Sequence, residues 1–121
     1  DLVLGPAARM LHTHHGVRTL TGSDAAFIPA RDFIDGSSII ELRPIAAVHV
    51  YQLGFDAHER ICVNGIEIET LHPGAPHTLQ VTHDMRQIFM SMFPHMRDIN
   101  SFGSMCHPRI RLRDLDLFQA A

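Results

Sequence analysis

Two groups of residues have the types and spacing that chemistry requires. The first lies in residues 50–70, VYQLGFDAHERICVNGIEIET. His58 opens one apolar segment, Asn64-Gly65 turns the chain, and a second apolar segment ends in Glu69-Thr70. An imidazole at such a place can exchange a proton near neutral pH. The second group is His12-Thr13-His14-His15. On a strand, His12 and His14 would share a face at a spacing suited to two metal ligands. A third ligand would have to come from His49, His72 or His77, and no CxxC or HExxH pattern supports one. The competing reading is a solvated hairpin tip, and the expectation is that the chain holds no metal and no cofactor.

Other polar residues carry less. Asp56, Glu59, Glu67 and Glu69 could pose as an acid–base pair. Glu67 and Glu69 are two apart, so a strand puts them on one face. The expectation is that this face meets solvent, with Ile66 and Ile68 turned to the core. Cys62 and Cys106 could form one disulfide, but the expectation is two reduced thiols, with Cys62 a small buried strand residue. No G-x-S-x-G and no Gly-rich phosphate loop is present. The ten histidines imply charge changes between about pH 5 and 7 wherever several lie together.

These residues need elements to hold them. Residues 1–4 read as a strand stub stopped by Gly5-Pro6. Residues 9–12 and 16–20 read as two strands around a turn at 13–16. Residues 25–28 form another short strand, and Pro29 to Ile34 suits one helical turn ended by Asp35-Gly36. Residues 38–42 and 45–53 are rich in Ile, Val and Tyr and read as the clearest strands. Asn64-Gly65 between residues 58–63 and 66–71 is the strongest hairpin signal, because both turn positions need positive φ. In residues 78–93 the spacing of Val81, Met85, Ile88, Phe89, Met92 and Phe93 predicts an amphipathic helix, capped at Thr82 or Thr78 and stopped by Pro94. The methionines of this region are expected to pack the helix onto the sheet. Residues 109–117 alternate apolar and charged side chains, as a final strand or extended strap would.

A chain of 121 residues with 45% hydrophobic and 19% charged residues suits one globular domain. The net charge of −3 and the lack of any Lys/Arg run argue against a nucleic-acid partner. No apolar stretch approaches the ~20 residues that span a bilayer, so no membrane partner is expected.

Together these segments resemble the Hint (hedgehog/intein) superfamily, and more closely the bacterial proteins with a lone Hint domain and a C-terminal extension. Residues 4–11, LGPAARML, are similar to the family's Ser-Pro-x-His-Arg-x-Leu. Residues 27–39, FIPARDFIDGSSI, are similar to its Val-Pro-Ala-x-x-Leu-x-Asn/Asp-Gly-x-x-Ile. Residues 50–70 have the layout of the closing motif of a self-splicing intein, and Met92-Phe93-Pro94 and Cys106-His107-Pro108 are similar to the tail. The resemblance implies autoprocessing, in which a Cys or Ser at the domain's first residue attacks the preceding carbonyl. It also implies a His at the internal motif, a His-Asn ending that cyclises, and a His at position 58 that assists the last step.

Most of those positions depart from the pattern. The nucleophile and the pattern's N-terminal strands have no counterpart in this sequence, which starts at the segment leading into the internal motif. The internal His falls on Ala8, and the His-Asn pair reads Glu69-Thr70. Of the four chemical positions only His58 is retained, and it also reads as a strand-start His bonded to the backbone. The expected fold is therefore mainly β, a Hint-like twisted arrangement over residues 1–76, with a helix and strap over 77–121 packed on the same domain. The expected function is a fragment or degenerate copy of a self-cleaving domain without autocatalysis; the alternative is a non-enzymatic structural or binding module. Partners would be the flanking polypeptide in cis and a second copy in a homodimer, with the two-fold near residues 1–4. The resemblance points to a bacterial source and leaves cytoplasmic and secreted locations both open.

Overall fold

A computed structural model describes residues 2–74, 82–94, 96 and 99–118. The chain divides into two compact units. The first is Asp1–Gln52, Arg60–Glu69 and His107–Ala121; the second is Leu53–Glu59 and Thr70–Cys106. The boundary expected at residue 76 lies outside the described residues.

The first unit is built on a four-stranded antiparallel sheet in the order β2-β1-β4-β3. Its strands are β1 (Arg9–Thr13), β2 (Ala25–Pro29), β3 (Arg60–Val63) and β4 (Ile66–Glu69). β1 pairs with β2 from Arg9↔Pro29 to Thr13↔Ala25, and with β4 at Met10↔Ile68. The β3–β4 hairpin forms where Asn64-Gly65 places it, with φ of 52° and 81° at the two turn residues. This is the primed turn whose twist matches the strands. A single parallel bridge covers the free edge of β2. The Phe27 amide donates to the Pro108 carbonyl at 2.8 Å, and the Ile110 amide donates to the Phe27 carbonyl at 3.0 Å.

Between β1 and β2 the chain forms α1 (His15–Thr21), not the strand expected over residues 16–20. Local caps decide this. The His14 ring accepts from the Gly16 amide at 3.0 Å, and Gly22 closes the helix at φ 80° with its amide on the Arg18 carbonyl. Gly16 lies against Phe118, where an added Cβ would come within 2.4 Å of the ring, so glycine permits the close approach. Val17 joins Ala26, Ile28 and Leu115 in the buried core, with Phe33, Ile110, Leu112 and Phe118 packed around it. The last three belong to the tail, which is a 3-10 helix over Leu112–Phe118 rather than a strand. Leu112, Leu115 and Phe118 are three apart, the repeat that keeps side chains on one side of such a helix.

The largest departure is in residues 38–53. Neither expected strand forms there; residues 40–53 are exposed, and Ile40, Leu42, Ile45, Val48, Val50, Tyr51 and Leu53 all face solvent. High β-propensity describes a fit to a half-buried pleated surface, and these residues have no such surface to join. Residues 2–4 are likewise not a strand. With 28% helix and 18% strand, the described residues are mixed rather than mainly β.

In the second unit α2 (His83–Ser91) is capped by the Thr82 hydroxyl, which accepts from the Met85 amide at 3.2 Å. The expected cap at Thr78 and apolar position Val81 lie outside the described residues. The apolar face of this helix is met in part within its own unit. Phe89 and Phe93 meet Phe102 at centroid distances of 5.9 and 5.3 Å, while Met85, Ile88 and Met92 are exposed. No helix among the described residues is long and apolar enough to cross a membrane.

Candidate functional site

The closing motif contributes to both units. In the second unit His58 is 3% exposed. Its Nδ1 accepts the Cys106 backbone N–H at 2.9 Å, and its ring lies 4.8 Å from that of His72, tilted by 53°. His72, also buried, accepts the Gly74 N–H on Nδ1 at 2.9 Å. Its Nε2 sits 2.7 Å from the Gly103 carbonyl oxygen, which can only accept. The partners therefore assign His72 its proton on Nε2, and the acceptor role of His58 Nδ1 points the same way. The lone pair that His58 would offer as a base at Nδ1 is taken by the Cys106 amide.

Thr70 is fully buried in the same unit. Its hydroxyl donates to the Glu59 carbonyl at 3.0 Å and accepts from the Glu59 amide at 2.8 Å, while its own amide also donates to the Glu59 carbonyl at 3.0 Å. A hydroxyl used in both directions is a cross-link, and it offers no amide nitrogen for cyclisation.

In the first unit Glu69 ends β4 with its side chain 1% exposed. This corrects the solvent-facing placement expected for it. Glu67 is indeed exposed, but Ile66 is also exposed and Cys62, expected to be buried, is too. Glu69 tolerates burial because two guanidiniums neutralise it. Arg109 Nε donates to Oε2 at 2.8 Å, and Arg9 Nη1 donates to Oε1 at 3.3 Å. Burial lowers the Arg9 pKa from its ordinary value; the Arg109 charge adds to that, and Glu69 opposes it. A second clamp joins Asp32 to the tail. Arg111 holds the carboxylate with Nε at 2.8 Å and Nη2 at 2.6 Å, and the Leu112 amide adds a third bond at 3.1 Å. Those Arg111 hydrogen bonds, then the Leu112 amide, hold the Asp32 carboxyl at about 2.

Ala8 carries no proton-transferring group; its carbonyl accepts the Ala30 amide at 2.9 Å. The His12–His15 run is also spent on structure. His12 packs on Phe33 at 5.3 Å, His14 caps α1, and His15 meets the edge of Phe118 at 6.0 Å. Among the described residues no group of three His, Cys, Asp or Glu could hold a metal ion. Cys62 and Cys106 form no disulfide.

The structure thus pairs His58 with His72, which the sequence offered only as a remote metal ligand. It also sets Glu69 between Arg9 and Arg109, 60 and 40 residues away along the chain. No local spacing signals contacts of that range.

A family model described as the Hint domain matches residues 1–75. This span contains Ala8, His58, Glu69 and Thr70. No curated protein and no solved structure matches the chain.

Proposed function

Because the chain belongs to the Hint-domain family, we propose that it is an autoprocessing-related domain whose closing motif holds the fold and does not cleave the chain. The observation that carries this reading is Thr70, buried with its hydroxyl bound in both directions to the Glu59 backbone. Inteins place a cyclising Asn there, and a threonine has no side-chain amide to attack its own carbonyl. Glu69 and Ala8 support the same reading, since neither supplies the imidazole expected at its position. His58 remains the one candidate catalytic residue, with Nδ1 already engaged by the Cys106 amide.

The test is intact mass. Purified protein incubated with dithiothreitol or hydroxylamine, which intercept thioesters and esters, keeps its full mass. Release of a defined terminal fragment would overturn the proposal. A non-enzymatic binding or structural module is the second reading. It is favoured by the exposed apolar side chains between Ile40 and Phe55.

A further inference from the structure

Residues 39–45 read Ile-Ile-Glu-Leu-Arg-Pro-Ile, and this run is self-complementary about Leu42. Reversed upon itself, it sets Glu41 against Arg43, Ile40 against Pro44 and Ile39 against Ile45. Its side chains are available: Ile40, Leu42 and Ile45 are each more than half exposed. Among the described residues, residues 40–52 make no backbone hydrogen bond. The chain is free of turn or bend from Ile40 to Pro44. The Glu41 and Arg43 side chains meet at 3.4 Å, as residues two apart do on one face of an extended chain. Unpaired backbone on an exposed, apolar, extended segment is a template for strand addition.

We propose that residues 40–44 pair antiparallel with the same residues of a second copy of this chain, about a two-fold axis at Leu42. The register follows from Pro44, which has no N–H to give. When the two Leu42 residues form a non-hydrogen-bonded pair, the ladder bonds fall on Glu41 with Arg43 of the second copy, and on Arg43 with its Glu41. Pro44 then turns its nitrogen away from the partner, the one arrangement a strand tolerates. One face of the pairing is apolar, with Leu42 on Leu42 flanked by Ile40 on Pro44. The other face carries two cross-strand ion pairs. Ile39 has its amide on Asp35 Oδ1 and its carbonyl on the Asp35 and Gly36 amides, so the ladder stops short of it. A lone strand from an unrelated protein would satisfy the backbone, whereas a second copy also meets both charges and both apolar neighbours in one register.

The proposal is tested by sedimentation velocity between about 1 and 200 µM, the window suited to a small interface. Wild-type protein shifts from monomer to dimer across this range. R43E, which sets glutamate against glutamate twice, weakens the dimer at least about tenfold, since each like-charged cross-strand pair is unfavourable where the wild-type pair was favourable. E41R does the same with arginines. Mixing the two variants restores the dimer as a heterodimer, because each then meets its complement. Both positions are exposed, so neither change disturbs the fold, and circular dichroism checks this. A monomeric wild type over the whole range overturns the proposal. So does a dimer indifferent to both variants, or variants that fail to associate on mixing.

Discussion

Replacing Glu69 by Gln removes one negative charge and almost no volume, so its cost measures the electrostatic role of the buried carboxylate alone. The Arg109 contact, 2.8 Å long with the Arg109 side chain 20% exposed, has the length of a charge-assisted hydrogen bond, worth about 1.5–3 kcal/mol. The Arg9 contact is longer, 3.3 Å, and Arg9 is 30% exposed, so it contributes roughly 0.5–1 kcal/mol. Gln keeps one oxygen but presents an NH2 to the other guanidinium, and leaves two neighbouring cations without their shared anion. The expected loss is about 2–4 kcal/mol, within the range for breaking a buried pair from one side. At about 3–6 °C per kcal/mol for a chain of this length, the melting temperature falls by roughly 6–24 °C. Glu67→Gln is the internal control. It lies two residues earlier in the same strand and pairs with Arg60 at 3.3 Å, but both partners are nearly half exposed. Its loss is below about 1 kcal/mol. Equal shifts for the two variants by differential scanning calorimetry would refute the claim that the Glu69 clamp carries stability.

Gly65→Val costs more than about 1 kcal/mol by chemical denaturation. Gly65 has φ 81° and nothing within 4 Å of an added Cβ, so the whole cost is backbone strain; an unchanged denaturation midpoint would contradict the primed turn. Asp32 ties the 3-10 turn at Ala30–Phe33 to the tail through Arg111, and its pKa is depressed from 3.8 to about 2. A depressed carboxyl stabilises the fold above its unfolded value and loses that contribution as pH falls through its folded value, so the window is from about 4 down to about 2. With Arg111 40% exposed, solvent screening limits the contribution to about 1 kcal/mol. Asp32→Asn is therefore less stable than wild type at pH 6, and the two converge towards pH 2; a difference independent of pH would contradict the clamp.

What the sequence reveals of this fold depends on the range of the forces that decide each element. The Asn64-Gly65 hairpin is legible because the turn dictates itself locally, and the Thr82 cap and Pro94 stop frame α2 for the same reason. Residues 16–20 carry apolar side chains that suit either a strand or a helix, and the outcome rests on an unusual histidine cap at His14. Residues 109–117 alternate with period two but also repeat with period three. Burial of Leu115, with Leu117 left exposed, selects the second. The segments at 38–42 and 45–53 have the composition of strands but pair with no strand among the described residues. Within the site, His58 was legible as a retained family position, and so were the departures at Ala8, Glu69 and Thr70. The Arg9–Glu69–Arg109 clamp was not, because strand alternation predicts which residues share a face but not what later covers that face.

The manner in which these departures are accommodated bears on what the motif does. An arbitrary side chain placed where a catalytic one is expected would leave a buried polar group without a partner, at a cost of about 1–3 kcal/mol each. Among the described residues no buried side-chain nitrogen or oxygen lacks a hydrogen-bond partner. Glu69 requires Arg109, which comes from the tail beyond the matched span, and Asp32 requires Arg111 from the same tail. The tail's 3-10 helix also supplies Leu115 to the core. Residues 107–118 therefore complete the first unit chemically as well as sterically, by neutralising two carboxylates that belong to the matched region. Glu69, held in this way from outside the motif, and Thr70, bound to Glu59 within it, are both buried parts of the fold. Changes at Glu69 or Thr70 are then read first in the stability of the fold.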